Sequence, residues 1–418
     1  MARRDYREWV SDGSEKRAFS RALPIALLVA LALATAVAYV SLSGGSGTPV
    51  AQGAVGGAFH PIAGSFEPDD TTLESCGDGE YTCLEQAFGN ISFQQGPKPA
   101  LRLFDNRIAS DADVETDCHR IVHSIGSAAF AKYDGSVGKA FSQGSASCAS
   151  GYYHGILERA FGGVSTASGL AGVARTLCRA DGIRRRGFLD SQCHHGLGHG
   201  LMIQTGYDLP LALDVCAGLV TNWDSVSCRG GVFMENVNTR YGYRSSWLQD
   251  DEPLYPCSAV KLRDRRACYL RSTTRVLELN DDDFQATAKT CAGLDPKWAT
   301  FCFWGFGRDA VREAAYAPEK ILSLCRLAVG AEGPCLYGAA RTIMERYQGG
   351  ERAAALCALA PAAERGECAA GIGLGLGLLH ATNAGRSDAC ERLTSSHARA
   401  CTAAAIAEAD PEGRTTWG

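Results

Sequence analysis

The stretch Cys193-His194-His195-Gly196-Leu197-Gly198-His199-Gly200 contains the pattern on which most of the chain is built. A cysteine is followed by a glycine at the third position after it and by a polar side chain at the sixth. The same spacing recurs in Cys148 with His154, Cys193 with His199, Cys228 with Met234 and Glu235, Cys302 with Arg308, and Cys335 with Arg341. A pattern that recurs at a fixed offset indicates a repeated structural unit.

The cysteines show the same repeat. The chain has 18 of them among 418 residues, and the later copies recur every 33 or 34 residues. From Cys193 onward, each cysteine of the pattern is preceded by another one 10 to 15 residues earlier. No Cys-x-x-Cys occurs, and an even number at regular spacing predicts disulfides formed in an oxidising compartment. The predicted pairs are Cys76–Cys83, Cys118–Cys148, Cys178–Cys193, Cys216–Cys228, Cys257–Cys268, Cys291–Cys302, Cys325–Cys335, Cys357–Cys368 and Cys390–Cys401.

The segments between the cysteines have helical periodicity. Apolar residues recur at helical spacing in 284–294, 317–328 and 351–359, each with a cysteine near its end. A second helix is expected to begin at the next cysteine, as in Cys335-Leu336-Tyr337-Gly338. Strand-like alternation is scarce. The predicted fold class is therefore all-α, with disulfide-stapled helical hairpins stacked in an open solenoid or a closed α/α toroid.

The recurrence of one disulfide per hairpin resembles Sel1-like helical repeats. Openings such as Cys302-Phe303-Trp304-Gly305 also look like the inner-helix motifs of lanthipeptide cyclases, which form a helical toroid around zinc. Those enzymes hold their metal with free cysteines, whereas every cysteine here has a predicted partner. Neither resemblance therefore assigns a catalytic residue to this chain.

The N-terminal part of the sequence predicts the location of the protein. Residues 23–42 are uncharged and rich in Leu, Ala and Val, and they are long enough to cross a bilayer as one helix. Several basic residues precede them, and none follows until Lys98. This asymmetry predicts a cytoplasmic tail (1–22), a transmembrane helix (23–42), a flexible linker (43–75) and an extracytoplasmic repeat domain (76–418) in a single-pass cell-membrane protein. The alternative is a cleaved signal peptide, because Ala34-Thr35-Ala36 resembles a cleavage site.

Composition excludes one class of partner. The net charge is −5 and no basic run occurs, so the sequence argues against nucleic-acid binding. Hydrophobic residues make up 46% of the chain, which is ample for a buried core. The expected partners are therefore the membrane, through the one N-terminal helix, and a small anion or a peptide.

Histidines are concentrated in the first three repeats. If the inner helices stand side by side, residues at the sixth position converge on one concave face. Three successive helices then each offer a pair four residues apart: His119 with His123, His154 with Glu158, and His195 with His199. We predict that these five histidines bind one or two divalent transition-metal ions, whose identity the residue types do not decide. The alternatives are a hydrogen-bonded polar core and a metal-free catalytic or pH-sensitive site.

Carboxylates and arginines complete the predicted site. Glu158 and Glu235 are the predicted general bases next to the histidines. Arg308 and Arg341 are predicted to bind an anionic substrate, unless each pairs with an acidic residue close to it in the sequence. The predicted function is an extracytoplasmic metal-binding protein anchored in the membrane, and an enzyme if the metal activates water or oxygen. The alternative is a non-enzymatic binding module or scaffold at the cell surface.

Overall fold

The fold is all-α, as predicted, throughout the part of the chain that the computed structural model describes. This part is residues 65–409 without 109, 145–146, 163, 165, 180–182, 184, 186 and 238–244. In chain order its α-helices are α1 (Tyr81–Gln95), α2 (Pro97–Arg107), α3 (Ala112–Thr116), α4 (Cys118–Lys132), α5 (Val137–Phe141), α6 (Ser147–Ala160), α7 (Ala167–Leu177), α8 (Phe188–Gln204), α9 (Leu209–Ala217), α10 (Asn222–Asn236), α11 (Leu262–Leu279), α12 (Phe284–Ala292), α13 (Pro296–Glu313), α14 (Pro318–Cys325), α15 (Glu332–Tyr347), α16 (Glu351–Leu359), α17 (Arg365–Leu379), α18 (Asn383–Thr394) and α19 (Ala398–Ala409).

The helices form two layers. The inner layer is a single file in which each helix contacts the next, in the order α1, α4, α6, α8, α10, α11, α13, α15, α17 and α19. The outer helices α7, α9, α12, α14, α16 and α18 each pack on the inner helix that follows them. Apolar side chains such as Phe306, Ile321 and Leu356 are buried between the layers. Because α17 also contacts α8, the inner file curls back on itself and encloses a cavity.

All nine predicted disulfides are present, and no cysteine is free. Six of them join the C-terminal part of an outer helix to the first or second turn of the next inner helix, as Cys216–Cys228 does. Closing a loop of about 15 residues removes about 3 kcal/mol of conformational entropy from the unfolded chain in the chain-entropy model. The disulfides therefore fix the turn between successive hairpins.

The inner helices begin earlier than the sequence predicted. Helix α10 begins at Asn222 rather than at Cys228, and α13 begins at Pro296 rather than at Cys302. The Thr221 side chain caps α10 and sets its start, which places the cysteine one and a half turns inside the helix. One unit also lacks its predicted outer helix, because residues 245–261 form turns before α11.

Glycine at the third position after the cysteine lets the backbones of neighbouring inner helices touch. A Cβ atom on Gly231 would lie 1.8 Å from the His195 carbonyl oxygen, and one on Gly338 would lie 2.0 Å from that of Trp304. No larger residue fits at such a distance. The close helix approach predicted from these glycines is therefore present, and it holds successive helices in register.

The N-terminal predictions lie mostly outside the described residues. These are the cytoplasmic tail, the helix over 23–42 and the linker as far as residue 64. The remainder of the predicted linker, 65–75, lies against α1, where Phe66 is buried and the Asn90 side chain donates to Thr71. Among the described helices, none combines the length and apolar character needed to cross a membrane.

Candidate metal centre

The structure brings all five histidines of the predicted site together. His119 and His123 lie on α4, His154 on α6, and His195 and His199 on α8. His154 is at the centre: its ring centroid is 4.0 Å from that of His199 and between 5.4 and 5.7 Å from those of the other three. The imidazoles therefore form one continuous cluster, which we call the histidine cluster.

Backbone packing creates the cluster. A Cβ atom on Gly155 would lie 1.9 Å from the His123 carbonyl oxygen, so α4 and α6 are in direct backbone contact beside His154. On the other side, His154 Cδ2 is 3.2 Å from where a Cβ atom on Gly196 would stand. The glycines that flank His154 thus bring three helices close enough for their imidazoles to meet.

The cluster consists of two overlapping triads. The first is His119, His123 and His154, and the second is His154, His195 and His199. In each triad, one ligand atom per residue lies within 4.8 Å of the others, so each could hold a metal ion. His154 is shared. It is fully buried, and neither of its ring nitrogens has a hydrogen-bond partner among the described residues.

Four of the five imidazoles have a partner outside the histidine cluster, either a backbone group or a carboxylate. His119 Nδ1 lies 2.8 Å from the Cys148 carbonyl oxygen, and the backbone of Ser227 pairs with His195. His123 Nδ1 lies 2.7 Å from Glu158 Oε1, and His199 Nδ1 lies 2.7 Å from Glu235 Oε2. The second oxygen of Glu235 accepts a hydrogen bond of 2.7 Å from Tyr207. Such partners fix the orientation of a metal-ligating imidazole and leave Nε2 for the ion.

The Nε2 atoms point at one another. Those of His119 and His123 are 3.0 Å apart, and His199 Nε2 is buried without a hydrogen-bond partner in the described structure. When both Nδ1 atoms carry hydrogen, the facing Nε2 atoms present two lone pairs at this distance. Two lone pairs so close repel each other unless a proton or a metal ion lies between them.

Burial keeps most of these imidazoles neutral. It lowers the pKa of His119, His154, His195 and His199 well below their ordinary value, and neighbouring positive charges add to the effect. Burial also lowers the pKa of His123, but the carboxylates of Glu158, Glu235 and Glu85 together outweigh it, and the net pKa is raised. Neutral imidazole is the form that binds metals. At neutral pH, four of the five rings are therefore ready as ligands.

The predicted bases and arginines all have close partners. Glu158 and Glu235 stand behind His123 and His199, as described above. Arg308 donates to Asp309 and to the Leu270 carbonyl oxygen, at 2.8 and 2.9 Å. Arg341 Nε donates to Glu345 at 3.1 Å. Each arginine is thus paired with the nearby acid that the alternative interpretation required.

Both arginines nevertheless line the same cavity as the cluster. The cavity has a volume of about 890 Å³ and is lined by inner-helix residues that include His119, His195, Arg308 and Arg341. His154 and His199, both fully buried, lie behind this wall. The histidine cluster therefore meets the cavity through two of its members, and a volume of this size suits a small organic ligand.

Two residues of the cavity were missed by the sequence analysis. Met234 occupies the sixth position of its repeat, the place of His154 and His199, and its Sδ lies 3.4 Å from His195 Nε2. Arg271 occupies the glycine position of its repeat and points into the cavity. The repeat offers a signal for both residues. Each stands at a fixed offset from its cysteine where the neighbouring repeats have another residue type.

A third group of possible metal ligands, which includes two carboxylates, lies apart from the histidine cluster. Asp190, His194 and Asp224 are buried and also have ligand atoms within 4.8 Å of one another. The Arg185 guanidinium contacts both carboxylates, at 3.0 Å from Asp190 and 3.2 Å from Asp224. Because this cation already compensates their charge, we regard the group as an ion-pair network that joins α8 to α10.

Comparison with known proteins adds no assignment. No protein-family model, no curated protein and no solved structure matches the chain. The function is therefore inferred from the geometry of the site alone.

Proposed function

We propose that this protein binds transition-metal ions at the histidine cluster and presents them to a cavity that receives a small ligand. The main support is the pair of Nε2 atoms of His119 and His123, which lie 3.0 Å apart. Two nitrogens bound to one ion at about 2.0–2.1 Å are separated by roughly 3.0–3.4 Å, so this pair already has the spacing of two ligands. Their Nδ1 atoms are engaged elsewhere, which leaves Nε2 for the ion.

Two ions suit the cluster better than one. Each triad offers three imidazoles, which is the usual number of protein ligands in an open zinc site. His154 belongs to both triads and has two ring nitrogens without partners among the described residues. Because a neutral imidazole has only one lone pair for a metal, His154 could bind both ions only as an imidazolate, with its ring proton released when the second ion binds.

The two carboxylates are best assigned as orienting groups. Glu158 and Glu235 pair with imidazole Nδ1 atoms, which is the arrangement that sets the tautomer and basicity of a metal ligand. A role as general base for either one stays a prediction. We therefore propose metal-dependent ligand binding as the function, and turnover of a bound substrate would extend it to an enzyme.

Copper is the metal that the donor set favours. Imidazole suits both copper and zinc, whereas a thioether selects Cu(I), and Met234 Sδ lies 3.4 Å from His195 Nε2. We expect Met234→Leu to weaken Cu(I) binding by about 10- to 100-fold and to leave Zn(II) binding unchanged. Competition titrations against chelators of known affinity measure both.

Met202→Leu is the matched control, because Met202 is fully buried in the apolar core. It should change neither affinity. Purified full-length protein that takes up neither ion, in elemental analysis after loading, would contradict the proposed function.

We also propose that the domain lies outside the cell and is anchored by residues 23–42. The support is the disulfide framework, which requires an oxidising compartment, together with the basic residues that precede residue 23. Of two reporter enzymes fused after Trp417, one that works only outside the cytoplasm should be active, and one that works only in the cytoplasm should be inactive. Activity confined to the cytoplasm would contradict this topology.

A further inference from the structure

Arg271 is a half-buried cation that has no carboxylate partner among the described residues. It lies on α11 and lines the cavity. Its Nε is buried and has no hydrogen-bond partner among the described residues, and the nearest acceptor of its Nη1 is Met234 Sδ at 3.7 Å. No carboxylate of the described chain lies within ion-pair distance of it. Charged groups in such a position are costly unless they are paired.

Three other arginines of the cavity wall each have a carboxylate partner. Arg229 pairs with Asp264 at 2.7 Å, Arg308 with Asp309 at 2.8 Å, and Arg341 with Glu345 at 3.1 Å. Burial, together with repulsion from Arg308 and Arg341, lowers the pKa of Arg271 to about 9, although the Glu345 and Asp309 carboxylates act in the opposite direction. Arg271 thus has no ion-pair partner in the described structure, whereas these three arginines have one.

The chain reaches this arrangement by breaking its own repeat. At the third position after the cysteine, four other inner helices have a glycine whose Cβ would meet the backbone of the preceding helix, namely Gly231, Gly305, Gly338 and Gly371. Arg271 stands there instead, where its Nη2 lies 3.8 Å from the position of a Cβ atom on Gly230. The side chain therefore fills space that backbone contact occupies elsewhere, and it reaches the cavity beside His195.

We propose that Arg271 binds the carboxylate of a small amphipathic ligand whose apolar part occupies the rest of the cavity. The apolar wall includes Leu277 of α11 and Leu374 and Leu378 of α17. A guanidinium binds a carboxylate through two parallel hydrogen bonds. Because Arg271 and His195 both contact Met234 Sδ, the bound carboxylate would lie next to the second triad.

This inference deepens the proposed function by naming the ligand class, yet carboxylate binding at Arg271 does not itself require a metal. The test is isothermal titration calorimetry of octanoate into metal-free full-length protein, with acetate and octanol as partial ligands. We expect octanoate to bind more tightly than either. Arg271→Gln should weaken octanoate binding by about 10- to 100-fold, the range for a lost charged hydrogen bond.

The matched control is Arg346→Gln, which removes the same charge from an exposed position at the cavity edge and should leave octanoate affinity unchanged. Arg271→Lys keeps the charge without the fork geometry, and it should retain part of the affinity. Thermal melts verify that each variant is folded.

Unchanged octanoate affinity in Arg271→Gln, or no octanoate binding by the wild type, would overturn the inference. Metal uptake is measured separately, so octanoate binding by a protein that takes up no metal would leave this site standing and reject only the proposed function.

Discussion

Replacing His154 by phenylalanine is expected to remove metal from both triads at once. His154 is the one histidine shared by them, and it contacts the rings of all four others. Each triad is left with two imidazoles, and the loss of a direct ligand should weaken each site by about 100-fold or more. Elemental analysis of dialysed protein should fall from as many as two equivalents of metal to a small fraction of one.

The same substitution should leave the metal-free fold intact. Phenylalanine is somewhat larger than histidine, but the change removes two buried ring nitrogens that have no hydrogen-bond partner in the described structure. An unsatisfied buried polar group costs about 1–3 kcal/mol, which is similar to the cost of a slightly larger side chain in a tight core, so metal-free His154→Phe should have a stability close to that of the wild type. His380→Phe, outside the cluster, is the control and should retain full metal content. Retention of two equivalents by His154→Phe would exclude a shared ligand.

The fold could be predicted because its determinants are local. Cysteine spacing alone identified every disulfide, since the two partners of most bridges flank one short turn. Glycines at a fixed offset predicted close helix approach, and the distance from Gly231 to the His195 carbonyl oxygen agrees with it. The same offset brought the histidines of three helices together. In a stacked repeat array, residues at the same offset in successive repeats lie next to one another on one face.

The features of the fold and the site that could not be predicted depend on contacts that the repeat does not encode. The curl that brings α17 against α8 is the sum of small rotations between hairpins, and no residue type specifies it. Tyr207, which donates to Glu235, lies between two helices at a position that the repeat does not specify. Arg308 and Arg341 occupy the predicted face, but their pairing was decided by Asp309 and Glu345 on the same helices.

Gly231→Ala is expected to destabilise the protein by about 3 kcal/mol or more. A methyl group at this position would stand 1.8 Å from the carbonyl oxygen of His195 and 3.2 Å from the Cα atom of Gly198. Backbone atoms cannot turn away as a flexible side chain can, so α8 and α10 must move apart by more than about 1 Å to reach ordinary contact distance. With its disulfides intact, the variant should melt about 6–12 °C below the wild type.

Gly172→Ala is expected to have the opposite effect on the stability of the protein. Gly172 lies inside the outer helix α7, where a Cβ atom would meet nothing within 4 Å. Alanine there reduces the conformational freedom of the unfolded chain and should stabilise the protein by about 0.5–1 kcal/mol. Because His195 moves with the backbone that Gly231 contacts, Gly231→Ala should also weaken metal binding, whereas Gly172→Ala should not. Equal melting temperatures for the two variants would show that α8 and α10 are not in backbone contact at Gly231.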